Sequence, residues 1–493
     1  MTLMSATLYG QLATHFERAI RRGTLQAGDR LPSIRALREQ FRLSASTVVQ
    51  ALVWLEDRGY IEARSRSGYF VRTRRAESRE PMLERVVLTP RLAGVNPLVG
   101  EVVKSAADPG CLPLGAGCPP ASLFPIERLN RWVGRIARDN PGHSASYQFP
   151  PGLPELRRQI ARRAATFGMD VSQDEVVITS GAMEALNLAI RAVAKPGDVV
   201  AVESPTYFGI LQILESLGMR VIELPTHPQR GIDLDRLEFA IRRHKIKTCV
   251  VMSNCHNPLG FVLDDAAKRA LVELAARHQL PIIEDDVYGE LAFSEHRPKP
   301  AKAFDREGLV LLCSSFSKTL APGFRVGWIH AGRFHDVVEH LQFITTIAAP
   351  SLQQYVLAGL LESGVYQRHL RRLRRAFRLQ VAMMSRAIAR YFPEGTRVTR
   401  PQGGYLLWVQ LPDGLSGQTV YRSALDAKIS VVPGEVCSAT SRFRDCLRIS
   451  CALPWSAEMN EAMRTLGRIC RELRGWEGAG RMRAAGRPAS TPP

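Results

Sequence analysis

The N-terminal part of the chain carries apolar residues at helical spacing, interrupted by short polar turns. The spacing predicts three helices, over residues 8–20, 34–41 and 47–57. Gly23 and Gly59 follow the first and third helices as stop signals. Ser33 and Ser46 precede the second and third helices and are their predicted N-caps, because a serine hydroxyl accepts a bond from a free backbone N–H there.

Two short β-like runs follow the helices, over residues 60–63 and 69–71. The turn between them is basic and contains Arg64 and Arg66. Three helices followed by such a hairpin predict a winged helix-turn-helix domain over residues 5–75. In this kind of domain the third helix enters the major groove of DNA by its first residues, here 44–47, and arginines reach phosphates or a minor groove.

From residue 96 onward, apolar strand-like runs alternate with helical patterns. The runs lie at residues 176–179, 199–202, 221–224, 248–252, 281–284 and 309–313. Such alternation predicts an α/β fold with a mostly parallel sheet. Residues 76–95 are charged and broken by prolines, which is typical of a linker, and residues 476–493 are predicted to be a disordered tail.

Composition and charge narrow the function. The chain has 493 residues, 45% hydrophobic and 23% charged, which excludes a mainly disordered protein. Its 66 Lys and Arg exceed its 47 Asp and Glu, giving a net charge of +19. Residues 1–75 hold 13 Arg against six acidic residues, which favours an acidic partner such as DNA. The alternative is a general preference for arginine, which would carry no function.

Other features exclude further classes. The nine cysteines are scattered and contain no Cys-x-x-Cys pair, so we predict no metal site and no redox motif. No apolar run is long enough to span a membrane, and residues 1–10 do not have the pattern of a signal peptide. We therefore expect a cytoplasmic protein with no membrane partner.

A lysine and a carboxylate each follow a predicted strand in the larger region. Lys318 comes after the run 309–313, among serines, where burial and nearby cations would lower its pKa and favour imine formation. Asp285 ends the run 281–284, so it would point into the crevice where α/β folds bind ligands. A lysine for a Schiff base and an acid for the ring nitrogen are what pyridoxal 5′-phosphate (PLP) requires.

Further residues after strands complete a PLP site. Asn257 and Tyr288 are placed to bond the phenolate oxygen of the cofactor, and the Tyr207 ring to stack on the pyridine. The neighbour of Asn257, His256, is expected to be a supporting or packing residue. A phosphate would bind at the start of a predicted helix, where backbone N–H groups are free. The predicted phosphate ligands are Ser180, Gly181, Ala182, Met183, Ser315, Ser317 and Arg325.

Two stretches of the N-terminal sequence are similar to a known family. The stretches GDRLPSIRAL and SASTV resemble the GntR-type winged-helix domain. Ala45 departs from this pattern, because many members have Arg there, and this puts the base specificity in question. The candidate DNA-binding residues are Ser33, Arg35, Ser44, Ser46, Thr47, Arg64 and Arg66.

Residues 96–475 resemble the fold-type I, class I aminotransferases, on the motifs NPLG, D-x-x-Y and S-x-S-K. The resemblance implies a large domain over about 140–340, and a small α+β domain over about 341–475 with the N-terminal part. It also implies that Lys318 forms the Schiff base and that Arg448 binds an amino acid α-carboxylate. A structural ion pair is the alternative for Arg448. Tyr147 would reach the phosphate of the other subunit.

The two regions together resemble the MocR family of bacterial regulators. That resemblance implies a head-to-tail homodimer on operator DNA, whose binding responds to PLP or to an amine or amino acid joined to it. The alternative is a working aminotransferase with a DNA-binding appendage. The basic run 368–378 is interpreted as a solvated helix that links the two domains, with a phosphate-contacting surface as the alternative.

Overall fold

The computed structural model describes residues 7–57, 59–64, 67–71, 79–82, 88–94 and 96–485. The described residues form two compact units that divide between Glu77 and Ser78. Each unit has its own hydrophobic core and is described by itself.

The first unit is a three-helix domain with a β-hairpin. Its elements are α1 (Leu8–Arg21), α2 (Ile34–Phe41), α3 (Ala45–Asp57), β1 (Ile61–Arg64) and β2 (Gly68–Val71). The two strands are antiparallel, with Ile61 opposite Val71. Leu37, Leu52 and Leu55 are fully buried between the helices. The winged helix-turn-helix prediction is therefore confirmed.

One predicted cap in this unit is wrong. The helix α3 begins at Ala45, two residues earlier than predicted, because Ser44 rather than Ser46 caps it. The Ser44 hydroxyl accepts a hydrogen bond from the Thr47 N–H at 3.1 Å. Ser33 caps α2 as predicted and accepts a bond from the Ala36 N–H at 3.2 Å.

The second unit contains all other elements. Its helices are α4 (Leu98–Ala107), α5 (Ile126–Asp139), α6 (Pro154–Thr166), α7 (Ala182–Val193), α8 (Phe208–Ser216), α9 (Leu234–His244), α10 (Asp265–His278), α11 (His335–Thr346), α12 (Ser351–Glu362), α13 (Val365–Tyr391), α14 (Gly417–Asp426) and α15 (Ala457–Ala485). Its strands are β3 (Arg91–Leu92), β4 (Leu112–Pro113), β5 (Val176–Thr179), β6 (Val199–Ser204), β7 (Arg220–His227), β8 (Gly231–Ile232), β9 (Thr248–Val251), β10 (Ile282–Asp285), β11 (Val310–Ser315), β12 (Gly327–His330), β13 (Arg397–Val398), β14 (Leu406–Gln410), β15 (Ile429–Ser430), β16 (Val432–Pro433) and β17 (Cys446–Ser450).

A nine-stranded sheet forms the centre of this unit. Its order is β3-β7-β6-β9-β10-β11-β12-β5, and β8 pairs with β7. The strands β7, β6, β9, β10 and β11 are parallel to their neighbours in this run, as predicted. Every residue of β6, β9, β10 and β11 is buried, because helices cover both faces of the sheet. The polar residues at the carboxyl ends of these strands therefore meet along one edge.

A smaller antiparallel sheet has the order β13-β14-β17-β16. Arg448 lies in the middle of β17, opposite Trp408 of β14 and Val432 of β16. The helices α13, α14 and α15 contribute buried side chains to the core beneath it. The mixed α/β class with a second, smaller sheet agrees with the predicted fold class.

Two predicted boundaries need correction. Arg91 and Leu92 belong to the predicted linker, but they form β3 and pair with Val221 and Arg220 of β7. The final helix α15 extends to Ala485 and so includes residues 476–485, which were predicted to be disordered. This segment contains three alanines, two arginines and a methionine, which favour a helix and outweigh its two glycines. Residues 486–493 lie outside the described part of the chain.

Candidate cofactor site and DNA-binding surface

A cavity of about 370 Å³ lies at the carboxyl ends of the central parallel strands. Most of the residues predicted to bind PLP or a carboxylate line it: Ala182, Met183, Tyr207, Asn257, Asp285, Tyr288, Ser315, Ser317, Lys318, Arg325 and Arg448. The structure thus brings together residues from β10, β11, β17 and three strand-to-helix turns. Ser180 and Gly181 belong to the same turn as Ala182.

Lys318 is poised as a nucleophile. It lies three residues beyond the end of β11, and its Nζ donates a hydrogen bond to the Gly117 carbonyl at 2.7 Å. Burial lowers the pKa of its ammonium group, and the positive charges of Arg448 and Arg325 add to this effect. Because a lowered pKa makes the neutral amine easier to form, the setting suits imine chemistry.

Asp285 ends β10 and is 4% exposed. Its Oδ1 accepts a hydrogen bond from the Val287 N–H at 3.3 Å. Burial raises the pKa of this carboxyl to about 7, and the nearby negative charge of Asp286 adds to the rise. A buried carboxyl with this pKa is stabilised by a cationic partner such as a protonated ring nitrogen.

Arg448 is the most informative residue of the cavity. It is 2% exposed, and its two Nη atoms donate to the Gly115 carbonyl at 3.0 Å and to Asn257 Oδ1 at 3.3 Å. Within the described residues its Nε has no hydrogen-bond partner, and its Nη atoms bond to an amide oxygen and a carbonyl instead of a carboxylate. A buried guanidinium without an anion is costly, so this arrangement fits an anionic ligand. The alternative of a structural ion pair does not fit this arrangement.

The turn between β5 and α7 carries residues that are predicted to bind a phosphate. Gly181 has a φ of +93°, which favours glycine, and a Cβ at this position would lie 2.5 Å from Arg325 Nη2, so a larger residue would strain the turn and displace the Arg325 guanidinium. Arg325 donates to the Ser180 carbonyl at 3.2 Å. The Ser180 N–H is bonded to Glu184, which leaves its hydroxyl and the N–H groups at the start of α7 for a phosphate.

Two further predicted phosphate ligands, Ser315 and Ser317, lie at the end of β11 and just after it. The Ser317 N–H donates to Ser315 Oγ at 3.3 Å, so the hydroxyl hydrogen of Ser315 remains available as a donor. Tyr207 lies across the cavity, packed against Phe208 at 5.0 Å between ring centroids, and burial raises the pKa of its hydroxyl. These donors and this ring fit a phosphorylated aromatic group.

Sequence reasoning missed three parts of the site. The Tyr405 hydroxyl donates to the Gly117 carbonyl at 2.8 Å, and its ring lies 5.6 Å from that of Tyr288. The Gly117 carbonyl therefore accepts hydrogen bonds from both Tyr405 and Lys318. The third part is an apolar wall of the cavity, provided by α4 through Val102, Val103, Ala106 and Ala107. No local sequence pattern identifies these residues, because only the tertiary fold brings them to the cavity.

His256 and Tyr147 lie outside the cavity lining. The His256 ring stacks on Phe261 at 4.6 Å, and its Nδ1 accepts a bond from the Leu259 N–H. The other ring nitrogen faces Glu203 at 3.3 Å. This arrangement fits the supporting role expected for His256. Tyr147 is 64% exposed on the surface of the second unit.

Of the predicted DNA-binding residues that the structure describes, Thr47 is half-buried and the others are exposed: Ser33, Arg35, Ser44, Ser46 and Arg64. The Ser44 hydroxyl lies 2.8 Å from that of Ser46 and 2.7 Å from that of Thr47. Arg35 pairs with Glu39 at 3.2 Å on α2. Arg66 lies outside the described residues.

Arg64, in the hairpin, is held in place by two neighbours. Its guanidinium pairs with Glu62 at 3.0 Å and lies over the Phe70 ring at 4.4 Å.

The basic run 368–378 forms part of α13. Leu370, Leu373 and Phe377 are buried, and most of the arginines are exposed, which fits a solvated helix. Arg374 is the exception, since it pairs with Glu290 at 3.1 Å and donates to the Glu290 carbonyl at 2.6 Å. In the same helix, His369 is bonded to the Thr319 carbonyl at 2.7 Å.

Two family matches cover the two units. Residues 110–466 match the family aminotransferase class I and II, and residues 8–71 match the bacterial regulatory proteins of the gntR family. Among the described residues, no helix is long and apolar enough to cross a membrane.

Similar proteins combine the two parts. The chain is 41% identical over 462 residues to the uncharacterized HTH-type transcriptional regulator YjiR of Escherichia coli K12, covering 94% of this chain and 98% of that one. It is 38% identical over 465 residues to the uncharacterized HTH-type transcriptional regulator YdcR of the same organism, covering 94% and 99%. The second unit resembles the solved structure of LysN, an α-aminoadipate aminotransferase from Thermus thermophilus complexed with N-(5′-phosphopyridoxyl)-L-leucine. For that structure the identity is 30% and the TM-score 0.71, with 76% of this chain and 95% of that chain covered.

Fold and matches define a class: a winged helix-turn-helix regulator with an aminotransferase domain, whose cofactor is PLP. The chain belongs to the aminotransferase class I and II family and carries the gntR domain, the combination that characterises MocR regulators. The sequence-based predictions of a regulator and of PLP are confirmed at this level.

Proposed function

We propose that the protein regulates transcription by changing its hold on operator DNA when an amine or amino acid, or PLP itself, occupies the cavity. One observation carries the proposal: Arg448, buried and without an anionic partner among the described residues, lines the same cavity as Lys318 and Asp285. A carboxylate bound to Arg448 would supply the missing charge, and the planar guanidinium suits a two-point contact.

The residues present fit the cofactor. PLP, when bound, supplies an electrophilic carbon that reacts with amino groups. Lys318 would hold it, and Asp285 would keep a proton on its ring nitrogen. Asn257 accepts from Arg448 through Oδ1, so its Nδ2 is available to donate to the phenolate oxygen together with Tyr288. Ser180, Gly181, Ala182, Met183, Ser315, Ser317 and Arg325 would bind the phosphate.

An exposed apolar patch supports a homodimer. Tyr147, Phe149, Phe343 and Ile344 are each about half exposed or more, and the Phe149 ring lies 6.2 Å from that of Phe343. A second copy covering this patch would bring Tyr147 to the phosphate of its partner, as the family resemblance implies. We propose that the two copies are arranged head to tail, as the family resemblance implies. Because DNA is the partner, the proposal includes a cytoplasmic location.

A second candidate function is transamination. The set of PLP residues is complete, Arg448 included, and this favours turnover. A regulator needs only ligand binding, whereas an enzyme must release a keto acid.

One experiment separates the two functions. The full-length protein, loaded with PLP, is titrated with single amino acids and amines while its visible spectrum and its binding to DNA from its own upstream region are followed. We expect a spectral change with one class of ligand and a matching shift in DNA affinity. A spectral change with keto acid release that becomes continuous once a second keto acid is added as amino acceptor, and with no shift in DNA affinity, would favour the enzyme. No affinity for that DNA at low salt would contradict the regulator.

A further inference from the structure

The exposed face of α3 has an unusual composition for a DNA-binding helix. The positions that face away from the domain core and follow one side of the helix are Ala45, Ser46, Val49, Gln50 and Val53. Val49 and Val53 are 38% and 43% exposed. The opposite side, with Val48, Leu52 and Leu55, is fully buried. The sequence of α3 contains neither Lys nor Arg.

The hydroxyl groups at the start of α3 are already engaged. The Ser44 oxygen lies within hydrogen-bond distance of the Ser46 and Thr47 hydroxyls and accepts the Thr47 N–H. Apart from these hydroxyls, the groups on the exposed side of α3 are the methyl groups of Ala45, Val49 and Val53 and the carboxamide of Gln50.

The bases present different partners to such a helix. Guanine shows two acceptors in the major groove, which Arg or Lys satisfies, and α3 has neither. Thymine shows a methyl group, which fits apolar side chains, and adenine shows a donor and an acceptor that match a glutamine carboxamide. Ala45 and Val49 lie one turn apart, so their methyl groups form a continuous apolar strip.

Positive charge is supplied from other elements. Arg35 and Arg38 lie on α2, Arg42 follows it, and Arg64 ends β1. The side chain of Arg35 is 87% exposed. Arginines around the recognition helix fit phosphate contacts, which fix the register of a protein on DNA but carry no direct sequence information.

We propose that α3 reads A·T base pairs, with the methyl groups of Ala45 and Val49 against thymine and the carboxamide of Gln50 on adenine. The inference rests on the proposed function, since it requires operator DNA. Specificity thus lies in an uncharged strip, and affinity lies in the arginines beside it.

The test begins with selection of bound duplexes from a random-sequence pool by the full-length, PLP-loaded protein. Binding is then measured on the selected duplex and on copies in which single thymines are replaced by uracil, which removes only the methyl group. We expect about a fourfold loss for each contacted thymine, the effect of one buried methyl group. The same replacement outside the selected half-sites should have no effect.

Variants assign the contacts to side chains. Gln50→Ala should lose preference for adenine at one position, whereas Gln40→Ala, which changes an exposed glutamine of α2, should not. Val49→Arg should acquire a preference for guanine. All three positions are exposed, so the fold should be retained.

Two results would overturn the proposal. One is a selected half-site dominated by G·C pairs, and the other is full affinity for uracil-substituted duplexes. A protein that binds no duplex of the pool at low salt would contradict the regulator function itself, and the proposal for α3 with it.

Discussion

The two ligand surfaces of this protein differ in how much they reveal about their ligands. The cavity of the second unit buries charged groups, and Arg448 lacks, among the described residues, the anion that would offset its burial. The DNA-binding surface of the first unit is exposed, and its charges are satisfied by water and by neighbours such as Glu39. Because unpaired charge is costly only when it is buried, the cavity specifies the chemistry of its ligand, whereas the surface gives only its general class.

The largest expected effect concerns Lys318. Lys318→Ala should abolish the visible absorbance of lysine-bound PLP and its trapping by borohydride, because no other lysine belongs to the described lining of the cavity. Absorbance spectra and mass spectrometry after reduction measure this. Lys195→Ala, at an exposed lysine, is the control. Unchanged labelling in the first variant would assign the Schiff base to another residue.

Asp285 gives the next largest effect, in the cofactor-free protein. Its pKa is raised from 3.8 to about 7, so the folded state holds a proton that the unfolded state has lost between these values. Stability should therefore fall as the pH rises from about 4 to about 7 and then level off, by up to about 4 kcal/mol.

Asp285→Asn should flatten this pH dependence. The measurement is thermal unfolding of both proteins across the pH range. Parallel curves for the wild type and the variant would show that the Asp285 carboxyl does not titrate in this window.

A smaller effect is expected at Arg448. Arg448→Lys keeps the charge but loses the planar pair of donors, so the affinity for an amino acid should fall by about 1.5–3 kcal/mol while PLP is retained. Spectral titration with the same amino acid gives both midpoints. A carboxylate-free amine is the matched control, because its response should be unchanged. Equal midpoints for the amino acid would leave Arg448 a structural role.

The smallest effect is expected on the DNA surface. Arg35→Ala should weaken DNA binding by about 1 kcal/mol or less, nearly equally for all sequences, and lower the salt dependence by about one counterion. Binding to specific and unrelated duplexes over a salt series tests this. A loss confined to one sequence would show that Arg35 contacts a base instead of a phosphate.

The sequence could predict those parts of the cavity that follow from a local pattern. The strand ends that carry Asp285 and Lys318 were predictable, because buried parallel strands are continuous apolar runs and their ends must meet at one edge. Tyr405 and the Gly117 carbonyl were not, since they are brought to Lys318 from 87 and 201 positions away along the chain, and no local pattern encodes such contacts.

The predictions of one N-cap and of one linker boundary were wrong for another reason. Ser44 and Ser46 are both good N-caps, and spacing alone does not choose between them. The choice depends on which hydroxyl accepts the Thr47 N–H, and that is Ser44. In the linker, Arg91 and Leu92 extend the sheet edge, although no apolar run marks a strand of two residues.

The long helix α13 joins two cores in a way that has a mechanical consequence. Tyr366 and Leu370 pack with Phe316 beside the Lys318 loop, whereas Val381 and Met384 pack under the small sheet. With 27 residues, the helix is about 40 Å long and connects the two cores as one continuous element.

Two side chains fix the first half of α13 to its surroundings. His369 is bonded to the carbonyl that follows Lys318, and Arg374 is fixed to Glu290. If the ligand held by Lys318 tilted α13 by a few degrees at these two contacts, the C-terminal end of the helix would be displaced by about 2 Å. A change at the loop that carries Lys318 would thus be transmitted along α13 to the small sheet.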